Sequence, residues 1–183
     1  MMFNEKDDSE FLNKKIIVTG ASSGIGLSVA LYFLNCGAQV ILAGRDISTM
    51  KSICQKYNFQ NAIIMKLDLS KDINIYDFKS SVIERFQMID IIVNCAGIKL
   101  YGDVETTFPQ DFDFVLDVNL RSVYFLIYNL AGYMKKNGSI IEGYGYGHSN
   151  LYSFRFSWWI NRMLRENETF RLLMIDIFNE AIA

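Results

Sequence analysis

The sequence has very little of several things. It holds one histidine, one proline and three cysteines. The lone His148 cannot build a histidine-rich metal centre. Cys36, Cys54 and Cys95 form no C-x-x-C pair, so neither a structural zinc site nor a disulfide framework is expected, and a reducing compartment fits best. A single proline leaves no proline-rich linker. Eighteen basic residues against twenty acidic ones give a net charge of −2, and without a basic excess nucleic acid is a poor candidate partner. The longest apolar stretch, 123–134, contains Asn129 and falls short of the roughly 20 residues a membrane span needs. The opening MMFNEKDDSE is polar and acidic, with no apolar signal core. These absences predict a cytoplasmic protein with no membrane span and no resident metal.

What is present is apolar. Hydrophobic residues make up 51% of the 183 and charged residues 21%, a core-rich balance for a single domain. From residue 14 two kinds of segment alternate. Short aliphatic runs at 14–19, 39–44, 61–68, 89–94 and 138–143 read as strands. Helical spacing appears at 28–37, 47–57, 73–86 and about 111–136, with Asp46 a good N-cap for the second helix. The strands show little polar alternation, which is how strands covered on both faces read. The pattern predicts a doubly wound α/β fold, with a parallel five-stranded sheet in the order 3-2-1-4-5. After Gly143 the chain turns rich in glycine and aromatics. Its last 18 residues fit one helix, or a strand and a helix. Residues 1–143 are therefore expected to be the folded α/β domain. Residues 144–183 are expected to be an atypical segment and not an independent domain.

The first strand runs into Thr19-Gly20-Ala21-Ser22-Ser23-Gly24-Ile25-Gly26 before the first helix. Glycines at such a turn let the backbone approach a pyrophosphate closely. The N–H groups and positive dipole end of the following helix favour the anion, and Ser22 and Ser23 add hydroxyl donors. A tight turn needing positive φ would use glycine too. Three further segments accompany it: Asp68-Leu69 at the end of the third strand, Asn94-Cys95-Ala96-Gly97 at the end of the fourth, and Asp117-Val118-Asn119-Leu120 within the long helix.

In this order, the four motifs resemble those of the short-chain dehydrogenase/reductase family over about residues 12–142. The resemblance implies a Rossmann-type sheet that binds NAD or NADP. It implies cofactor contacts from Gly20, Ser22, Ser23, Gly24, Ile25 and Gly26, from Asp68 and Leu69 against the adenine, and from Asn94, Ala96 and Gly97. Asn119 matches the family's catalytic asparagine. The expected substrate is a small carbonyl compound or secondary alcohol, and the helix at 111–136 is an expected surface for homo-oligomers. At the tip of the second strand stand Gly44 and Arg45. A guanidinium there can hold a 2′-phosphate, which favours NADP over NAD. Asp46, about 20 residues beyond the glycine turn, is the competing residue for NAD.

The rest of the family's catalytic pattern is absent. The family uses a serine at the end of the fifth strand and a Tyr-x-x-x-Lys beyond it. Here the fifth strand runs into Glu142-Gly143-Tyr144-Gly145-Tyr146-Gly147. Tyr144, Tyr146 and Tyr152 are followed at the fourth place by His148, Asn150 and Phe156, and no lysine follows Lys136. Nothing after Asn150 resembles the family's sixth strand, so the sheet is expected to be incomplete on its C-terminal side. Three readings stay open: an aberrant gene product whose end is a translated intron or shifted frame, a nucleotide-binding pseudoenzyme, and a divergent oxidoreductase using one of the three tyrosines.

Overall fold

The computed structural model describes residues 8–99 and 105–143, and the backbone of 171–174. Six strands form one sheet in the order β3-β2-β1-β4-β5-β6: β1 Lys15–Thr19, β2 Gln39–Gly44, β3 Ala62–Lys66, β4 Ile89–Asn94, β5 Met134–Glu142 and β6 Arg171–Met174. Every neighbouring pair is parallel. The expected order of the first five strands is borne out. β6 lies beside β5, with Ser139 opposite Arg171 and Glu142 opposite Met174, and agrees with the strand that the last 18 residues allow.

Helices cover both faces. α1 is Gly24–Asn35 and α2 is Ile47–Lys56. Their Ala30, Phe33, Leu34, Met50 and Cys54 pack on Ile16, Val18, Val40, Leu42, Val93 and Ile141 of the sheet. On the other face lie α3, Asp72–Phe86, and α5, Ser122–Leu130. α3 buries Ile75, Phe78, Val82 and Phe86, spaced three and four apart, so they form one stripe. That stripe meets Val123, Leu126, Ile127 and Leu130 of α5 over Ile17, Ile41, Ile92 and Ile140. Successive strand residues thus serve opposite cores, which is why the strands read as unbroken aliphatic runs.

The long helix expected at 111–136 is divided and shorter. α4 spans Pro109–Leu116, a single π-helical turn occupies Asp117–Arg121, and α5 ends at Leu130. Met134 to Lys136 belong to β5 instead. Met134 pairs with Ile89 while Ser139 pairs with Ile91, so an irregularity in the register absorbs the extra residues of β5. Met134 is buried, and tertiary pairing overrides the helical pattern of its neighbours.

Candidate nucleotide site

The carboxyl ends of β1, β2 and β4 converge on one edge of the sheet. In open parallel sheets that edge is where ligands bind. At the end of β1, Gly20 takes φ +67° and Gly24 φ +55°, a region that side chains rarely enter. A Cβ on Gly20 would lie 2.9 Å from the backbone of Ala96. A Cβ on Gly26 would collide with the Gly20 carbonyl, so this glycine sets how closely α1 approaches β1. Gly24 is different: nothing stands within 4 Å of where its Cβ would be. The turn therefore closes tightly on the protein side and stays open on the other. No side chain caps α1, since Ser23 is extended and makes no cap hydrogen bond. The first N–H groups of a helix otherwise need such a partner. A glycine cradle open over an uncapped twelve-residue helix fits the pyrophosphate of a dinucleotide.

Two braces hold the neighbouring segments. Ala96 N–H donates to Thr19 Oγ1 at 3.1 Å, joining the exit of β4 to the start of the glycine turn. Asn119 is drawn to the same exit. Its Nδ2 donates to Ile98 O and its Oδ1 accepts from Ile98 N–H, both at 2.8 Å. Gly97 leaves room for this, since a Cβ there would stand 3.2 Å from Asn119 Oδ1. The π turn gives Asn119 this aim, and Arg121 fastens the turn to the start of α3 through a two-pronged ion pair with Asp72 at 2.6 and 2.8 Å. The Asn119 side chain thus clamps the exit of β4.

At the tip of β2, Arg45 is exposed and Ser22 is half-buried beside Gly44. Asp46 is fully engaged in capping α2. Its carboxylate accepts from Thr49 N–H at 3.0 Å, Ser48 Oγ at 2.6 Å and Thr49 Oγ1 at 2.7 Å. These donors pull its pKa down to about 2. Asp68 accepts from the N–H and hydroxyl of Ser70, which hold its carboxyl below the usual range, with Arg45 adding a smaller pull. Leu69 buries its side chain in the core, leaving only its backbone for a ligand.

Deeper in the sheet, at the ends of β4 and β5, Asn94 Nδ2 donates to the buried Glu142 Oε1 at 2.9 Å. Burial pushes Glu142 up to about 7, against a smaller opposing effect of the Asn94 hydrogen bond. Cys95 beside it is pushed up to about 12 by burial and by Glu142, so its thiol stays protonated and inert. Among the described residues, sequence reasoning passed over Thr19, Arg121 and Glu142. Thr19 lay inside a recognised motif, whereas nothing in the sequence marked the partners of the other two. Tyr144, Tyr146, His148 and Tyr152 lie outside the described residues.

The profile of the short chain dehydrogenase family matches residues 14–143. An uncharacterized oxidoreductase of Staphylococcus epidermidis is 33% identical over 126 residues, 69% of this chain and 54% of that one. The D-beta-hydroxybutyrate dehydrogenase of Rhizobium meliloti is 30% identical over 131 residues, 69% of this chain and 51% of that one. The chain thus spans about half the length of these relatives. An alcohol dehydrogenase from Thermococcus sibiricus, solved with 5-hydroxy-NADP, superposes with a TM-score of 0.77 at 23% identity, covering 88% of this chain and 74% of that one. A short chain dehydrogenase from Escherichia coli CFT073 superposes with a TM-score of 0.80 at 22% identity, covering 93% and 82%. Motifs, sheet order and sequence profile agree: the chain belongs to the short-chain dehydrogenase family.

Proposed function

We propose that this chain binds NADP at the carboxyl edge of β1, β2 and β4, with NAD as the weaker ligand. The observation that carries the proposal is the turn at Gly20, Gly24 and Gly26, closed against Ala96 and open above α1. Gly20 to Gly26 hold the pyrophosphate. Ser22 and Arg45 face the 2′-phosphate, with Asp46 withdrawn into its cap. Asp68 and the backbone of Leu69 border the adenine. Asn94, Ala96 and Gly97 form the wall leading to the nicotinamide. The 5-hydroxy-NADP of the Thermococcus sibiricus enzyme, and the NADP of a metagenomic short-chain oxidoreductase of the same fold, support this choice.

Bound NADPH would supply a hydride to a small carbonyl compound, and bound NADP would take one from a secondary alcohol. The residues of this chain bind and orient it, but a proton must also reach the substrate oxygen. A positioned acid or base contributes about 10²–10⁴-fold to such a step. The sequence offers no Tyr-x-x-x-Lys after Lys136 and no serine at the end of the fifth strand. The reading that follows is a dinucleotide-binding protein with little or no hydride transfer. Calorimetry with NADPH and NADH tests the binding. Turnover is tested with a panel of aldehydes, ketones and alcohols, against the Tyr144→Phe, Tyr146→Phe and Tyr152→Phe variants. Micromolar NADPH binding without turnover is expected. Turnover by the native chain that one of these variants abolishes would overturn the inactive reading and identify the acid.

A further inference from the structure

The end of β5 carries a buried carboxyl that the nucleotide site does not use. Glu142 is 4% exposed, and its one described hydrogen bond comes from Asn94 Nδ2. The other end of the same amide, Asn94 Oδ1, is the one buried side-chain polar atom among the described residues that lacks a partner. A buried acceptor without a donor is costly, and so is a buried carboxylate without a cation. One proton resolves both. A protonated Glu142 can donate to Oδ1 while still accepting from Nδ2, closing a reciprocal acid–amide ring.

We infer that Glu142 is carried as the neutral acid in a reciprocal pair with Asn94, and that loss of its proton is a switch that loosens the β4–β5 junction at the carboxyl edge of the sheet. The surroundings agree. No described lysine, arginine or histidine acts on Glu142; its influences are burial and Asn94. Just past β4, Cys95 presents the other titratable group among the described residues, and this thiol keeps its own proton. Along β6, Met174 stands opposite Glu142 in register. The junction is tight: Gly143 N–H donates to Asn94 O at 2.9 Å, and a Cβ on Gly143 would lie 2.8 Å from Cys95 Sγ. An ionised Glu142 would be a buried charge with no cation beside the still unpaired Asn94 Oδ1, and that cost falls on the pairing of the two strands. The released proton goes to solvent.

Two measurements on the full chain test this. The first is the carboxyl carbon of Glu142 followed by NMR against pH. A midpoint near neutrality is expected, and a midpoint in the ordinary carboxylate range would overturn the inference. The second compares denaturation of the native chain with Glu142→Gln, whose amide copies the neutral acid. Between pH 5 and pH 8 the native chain should lose roughly 10²-fold in its folding equilibrium relative to the variant. Identical pH profiles for the two would also overturn it. Should Glu142→Gln fail to fold, the titration of the native chain decides alone.

Discussion

At the scale of single residues, the glycine turn separates binding from folding. Gly24 faces open space at φ +55°, so Gly24→Val strains the turn locally and fills the volume a pyrophosphate needs. Gly26 faces the Gly20 carbonyl, so Gly26→Val forces α1 away from β1. NADPH calorimetry and thermal melts of both variants should therefore diverge. Gly24→Val should lose binding with a small change in melting temperature, while Gly26→Val should lose both. Unchanged NADPH affinity in Gly24→Val would remove the turn from the binding site. Arg45 gives a second residue-scale expectation. Arg45→Glu should weaken NADPH by about 1–3 kcal/mol more than NADH, through loss of charge-assisted hydrogen bonds. Equal losses would show that Arg45 does not read the 2′-phosphate. Asp46 is poorly placed to compensate, since three donors already hold it.

At the scale of elements, the π turn between α4 and α5 matters most. A π turn widens a helix by one residue and recurs at functional sites. Here it carries Asn119 toward Ile98 and Arg121 toward Asp72. Asn119→Leu leaves both backbone groups of Ile98 without their side-chain partner. Amide exchange of residues 96–98 should speed up by about tenfold or more, with the helical signal of α5 unchanged. Equal protection in both proteins would show that the clamp is idle. The helix expected across 111–136 carries no mark of this division. Its apolar spacing continues through the π turn, and only packing on α3 and the exit of β4 decides where the turn falls.

At the scale of the whole molecule, two properties stand out. The first is pH dependence. The fold raises Glu142 from its ordinary 4.5 to about 7, so the folded state holds its proton to higher pH than the unfolded chain does. That stabilisation, on the order of 3 kcal/mol, is complete below about pH 4.5 and disappears as pH rises through about 7. The second is the exposed aromatic side chains of α4 and α5. Phe112, Phe114, Tyr124 and Tyr128 are 41%, 46%, 36% and 69% exposed, and Tyr124 and Tyr128 stack on each other. We propose the exposed side of α4 and α5, centred on Tyr124 and Tyr128, as the surface for a second copy. Sedimentation of the native chain should show a dimer that Tyr124→Lys with Tyr128→Lys dissociates. A native monomer at high micromolar concentration would refute this.

How much could be read beforehand follows from the range of the interactions. Strand and helix identity, the order of the first five strands and the Asp46 cap depend on local pattern: unbroken aliphatic runs, three-and-four spacing, and a capping side chain three residues from its N–H. The glycine turn was legible because close backbone approach leaves few residue choices. Contacts that join distant positions were not legible. Asn119 with Ile98, Arg121 with Asp72, and Asn94 with Glu142 are 21, 49 and 48 residues apart. β6 was only one of two readings of the last 18 residues, since four residues have no periodicity and become a strand only beside β5. By itself the sequence determined a doubly wound parallel sheet with a nucleotide turn, because repeating patterns and steric limits act over a few neighbouring residues. Only the tertiary structure decided that Asn119 is a clamp and that Glu142 is buried beside an amide with an unpaired acceptor. Burial and partnership are properties of the packed whole.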